Sequence, residues 1–127
     1  MENPTPIQRL RKSLSDLMIA MPEGRDAEYQ DVRSIYLEAE GIFNSPEFRR
    51  YKESFGKLAL MAQSKEGNKE SGLFDNFREV LGYLEAINLS ISVHGQIRFL
   101  DVACLYTRLE VMELHHESID EIFSRQS

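Results

Sequence analysis

The chain has 127 residues, 42% of them apolar and 28% charged, and a formal net charge of -6. That length and balance fit one globular domain that buries a core without staples, and they exclude wholesale disorder. The acidic excess argues against a general nucleic-acid binder, which needs a basic footprint. The lone cysteine, Cys104, excludes an internal disulfide framework.

The start, Met1 to Pro6, lacks the basic stretch and apolar core of a signal peptide. No run reaches the roughly 18 to 20 apolar residues of a membrane span. A cytoplasmic location without membrane attachment is expected.

A first helix is predicted from Thr5-Pro6, a cap followed by a first-turn proline. Ile7, Leu10, Leu14, Leu17, Met18 and Met21 make its apolar face, and Pro22 and Gly24 end it. Asp26 is expected to cap a second helix carrying Tyr29, Val32, Ile35, Tyr36, Ala39, Ile42 and Phe43, closed by a left-handed Asn44. Ser45-Pro46-Glu47 reads as a fresh helix start. The third helix turns Phe48, Tyr51, Phe55, Leu58, Ala59 and Ala62 inward and Arg49, Arg50, Lys52 and Lys57 outward. Residues 64–72 contain no apolar side chain and read as a mobile loop within a single domain spanning 1–127.

The fourth helix is predicted from about Leu73 to about Ser92. Residues 89–99 allow two readings: a helix corner, or a hairpin turning at His94-Gly95. The corner is preferred, because an isolated hairpin with no third strand is marginal. The last helix is expected from near Gln96. Between Ile97 and Tyr106 it is apolar on nearly every side apart from Arg98 and Asp101, the mark of a helix with neighbours on several faces. Leu109, Met112, His116, Ile119 and Phe123 prolong a stripe, so the segment is one long helix or bends near His115-His116. The predicted fold is all-α, a bundle of five to six helices with a long C-terminal helix.

Two segments carry a resemblance. Residues 38–49 end one helix and restart with Ser45-Pro46-Glu47-Phe48-Arg49, and Asn76-Phe77-Arg78-Glu79 follows downstream. Order and spacing resemble an uncharacterised bacterial all-helical domain family of unknown function, over roughly Ile35 to Tyr106. Members often carry an N-terminal membrane segment, for which this chain shows no signal. The resemblance implies a helical fold and no functional residues.

Chemistry-bearing residues are sparse. Glu113-Leu114-His115-His116 has the spacing with which a glutamate and a histidine one helical turn apart reach an inward-facing metal. Such a site needs a second pair of that kind, and His94 has no glutamate three residues before it. A solvated helix face is the plainer reading. His94 reads as a cation at a helix end, and Cys104, between Ala103 and Leu105, as a small buried core residue.

The preferred functional expectation is therefore a small cytoplasmic protein-interaction or regulatory module without catalysis or cofactor, binding a protein partner or a second copy. Its expected surface is the terminal stripe Met112, His116, Ile119 and Phe123 with the acids Glu113, Glu117 and Asp120. The alternatives are a metal-binding or enzymatic bundle built on His94, His115, His116 and nearby carboxylates, and a nucleic-acid binder using the basic third helix.

Overall fold

The computed structural model describes residues 5–53 and 71–115, which form five α-helices and one two-residue bridge between helix connectors. The all-α bundle expected from the sequence is what the chain forms.

Helix α1, Pro6–Ala20, starts on a reciprocal capping box. Thr5 Oγ1 accepts from the Gln8 backbone N–H at 3.2 Å, and Gln8 Oε1 accepts from the Thr5 N–H at 2.9 Å. Ile7, Leu10, Leu14 and Leu17 are buried along one stripe. Pro22–Gly24 then forms a short 3-10 turn.

Helix α2, Tyr29–Phe43, buries Val32, Tyr36 and Ala39. It closes at Asn44 with φ of -92°, so the left-handed cap expected there does not form. Ser45 does the work instead. Its hydroxyl donates to the Ile42 carbonyl at 2.7 Å and accepts from the Phe48 N–H at 3.2 Å, joining α2 to α3, residues 46–53. Phe48 is fully buried, with Phe43 and Tyr51 tilted against it at ring separations of 5.2 and 5.9 Å. The remaining inward positions expected on this helix, Phe55, Leu58, Ala59 and Ala62, lie outside the described residues.

Helix α4, Ser71–His94, and helix α5, Phe99–Leu114, run antiparallel. Their cross-links descend in α5 as they ascend in α4: Asn76 Nδ2 donates to the Arg108 carbonyl at 2.9 Å, Glu79 pairs with Arg108 at 2.7 Å, and Tyr83 meets Cys104. Within the described residues helix α4 starts at Ser71, in the stretch read as loop, of which residues 64–70 lie outside them, and it outlasts its expected end by two residues. Residues 89–93 stay helical, so the preferred corner holds and the hairpin does not form. Gly95, at φ +66°, makes the corner in a conformation that other residues adopt with strain. The last helix starts at Phe99, not near Gln96, and within the described residues it stops at Leu114 with His115 as its cap.

Gln96–Ile97 (β2) does pair as a strand, but with Ala27–Glu28 (β1) from the connector between α1 and α2. The antiparallel register sets Ala27 opposite Ile97, both buried. Asp26, expected to cap α2, reaches across the bridge instead, and its Oδ1 accepts from the Phe99 N–H at 3.0 Å, the first donor of α5. In return the Tyr29 N–H, the first donor of α2, is held by the Gly95 carbonyl at 2.9 Å. Helix α1 packs on both α2 and α5.

A second link joins α2 to α4: the Tyr36 hydroxyl donates to Asn88 Oδ1. Burial, with added repulsion from Glu40 and Tyr29, pushes the Tyr36 phenol up to about 12.

Two tests follow from these links. Asp26→Ala should cost about 1 kcal/mol in urea unfolding, with Asp26→Asn recovering most of it. An alanine variant as stable as the native chain would show the cross-bridge cap to be idle. For Tyr36, the folded chain keeps its phenolic proton where the unfolded chain releases it. Its stabilisation is therefore present below about pH 10 and lost as pH rises towards 12. The native unfolding midpoint should fall more steeply over that window than that of Tyr36→Phe. Parallel curves would sink the assignment.

Candidate interaction surface

The stripe expected to dock a partner faces largely inward where the structure describes it. Met112 is 1% exposed and belongs to the core with Leu105 and Leu109. Its spacing from them is that of one helical face, and that face is covered by α1 and α4. Glu113 forms an ion pair with Arg11 of α1 and accepts from Gln8 Nε2 at 3.2 Å. The Arg11 guanidinium lies 4.9 Å over the Tyr106 ring and donates to its hydroxyl at 3.2 Å. Met112 and Glu113 are thus engaged within the chain, which corrects their assignment to an exposed surface. His116, Glu117, Ile119, Asp120 and Phe123 lie outside the described residues.

The described histidines do not converge. His94 ends α4 and His115 caps the far end of α5, with a helix of 16 residues, about 24 Å, between them. Among the described residues no three His, Cys, Asp or Glu side chains cluster in a way that could hold a metal. The corner does have one feature of a calcium loop. Counted from Ser90, Gly95 and Asp101 fall at the sixth and twelfth positions, where such a loop needs its turn glycine and its bidentate acid. The first, third and fifth positions, however, are Ser90, Ser92 and His94, all still in α4, so the donor set does not fit calcium. Asp101 instead sits buried in the first turn of α5, near the positive helix end, with Arg98 Nε 3.9 Å away.

Cys104 is half-buried, which corrects its expected place in the core. It lies on the flank of α5 that meets α4. Tyr83 of α4 stands beside it there, and that contact, with burial adding to it, pushes the Tyr83 phenol up. The basic third helix is partly spent as well. Lys52 Nζ lies 3.8 Å over the Phe43 ring, and Glu47 on the same helix pairs with Arg9 at 2.6 Å. Arg49 and Arg50 are exposed.

Among the described residues, no element covers the opposite side of α5. Successive residues of a helix turn by about 100°, which places Leu100, Thr107, Val111 and Leu114 within an arc of about 60°, facing away from Leu105, Leu109 and Met112. Leu100 is 65% and Leu114 77% exposed. The adjoining helix continues the same character. Ala86, Leu89 and Val93 share an outward arc of α4, and Leu89 and Val93 are each 62% exposed. Asn76 with the Arg108 carbonyl and Glu79 with the Arg108 guanidinium bind the two helices side by side. Scattered exposed leucines are ordinary, and Ile19 on α1 and Leu37 on α2 are of that kind. Four large apolar side chains on the outer side of one helical hairpin are not scattered. Sequence reading noticed that α5 is apolar all round but assigned every side a neighbour. The seven-residue spacing of Leu100, Thr107 and Leu114 was the signal for a second face.

A double-mutant cycle on Arg11→Met and Glu113→Gln checks that Glu113 is spent inside the chain. A coupling of about 1 kcal/mol is expected, and salt should weaken it little because both side chains are largely buried. Coupling near zero would return Glu113 to the surface inventory. Among the described residues no helix is long and apolar enough to cross a membrane. Neither a family model, nor a curated protein, nor a solved structure matches this chain.

Proposed function

We propose that this chain is a small protein-interaction module without catalytic activity, and that the outer side of the α4–α5 hairpin is its binding surface. The observation carrying the proposal is the aligned exposure of Leu89, Val93, Leu100 and Leu114 on two helices whose opposite sides are fully used by the core. Apolar surface of this kind gains free energy by leaving water, at roughly 25 cal/mol per Å². Large apolar side chains dominate this surface, and burying them against a partner is the use that supports the reading. The separation of His94 from His115 by the length of α5 supports binding over the enzymatic alternative, whose third histidine, His116, lies outside the described residues. Among the described residues, the partial engagement of the third helix leaves Arg49 and Arg50 to the nucleic-acid reading, and Lys57 lies outside them.

A photo-crosslinking residue at Thr107, mid-way along the outer side of α5, tests the reading against one at Lys12, exposed on α1. In the host cell the probe at 107 should yield a discrete adduct with one identifiable polypeptide, suppressed by excess unmodified chain, and the probe at 12 should not. No adduct at 107, or the same adducts from both positions, would overturn the proposal.

A further inference from the structure

We draw no further inference here: the strongest candidate, the exposed apolar face of Leu89, Val93, Leu100 and Leu114 on the outer side of the α4–α5 hairpin, belongs to the surface already described, and nothing in the structure shows what covers it.

Discussion

The arrangement depends on two helix starts that share their hydrogen bonds. Helices α2 and α5 begin after Glu28 and Arg98, and neither residue caps its own helix with its side chain. The first turn of any helix leaves backbone donors without partners. Here the first donor of each helix is taken by the other connector: Tyr29 by the Gly95 carbonyl, Phe99 by the Asp26 carboxylate. The two-residue bridge between them sets the register, with Ala27 against Ile97 in the core. This junction ties the pair α1–α2 to the pair α4–α5, which are distant in sequence. It also lets α1 reach α5, where Arg11 meets Glu113 and Tyr106.

The elements governed by local chemistry were legible in the sequence. The Thr5 cap with Pro6 behind it, the Ser45-Pro46 restart and the inward stripes of α1 and α2 are properties of a few neighbouring residues. What could not be read was decided by partners far away in the chain. Asp26 stands where a cap for α2 belongs, and only the bridge reveals that its carboxylate serves α5. Gln96–Ile97 carries a genuine strand signal, but its partner lies in the first connector and not in the neighbouring residues 89–93.

The candidate surface failed in the sequence for a related reason. Periodicity says that Leu105, Leu109 and Met112 share a face, and equally that Leu100, Thr107 and Leu114 do. It does not say which face the rest of the chain will cover. The number of covering helices decides that, and α5 has α1 and α4 against one half of its circumference. Glu113 shows the same limit for charge: an acid in an acidic segment reads as solvated until a tertiary contact supplies Arg11.

A helix that is apolar on all sides and covered on one is an incomplete object in water. Its inner half is satisfied by the single chain, as the full burial of Val102, Leu105 and Leu109 shows. Its outer half gains nothing from folding and adds a tendency to associate. Nonspecific association is held back by the net charge of -6, which keeps copies apart except where a favourable contact outweighs repulsion. The uncharged apolar strip is where that balance can reverse. Repulsion summed over the whole surface is long-ranged and screened by salt, while burial of the strip is short-ranged and insensitive to it. Association through this face should therefore strengthen with salt, the reverse of what a nucleic-acid contact at Arg49 and Arg50 would show.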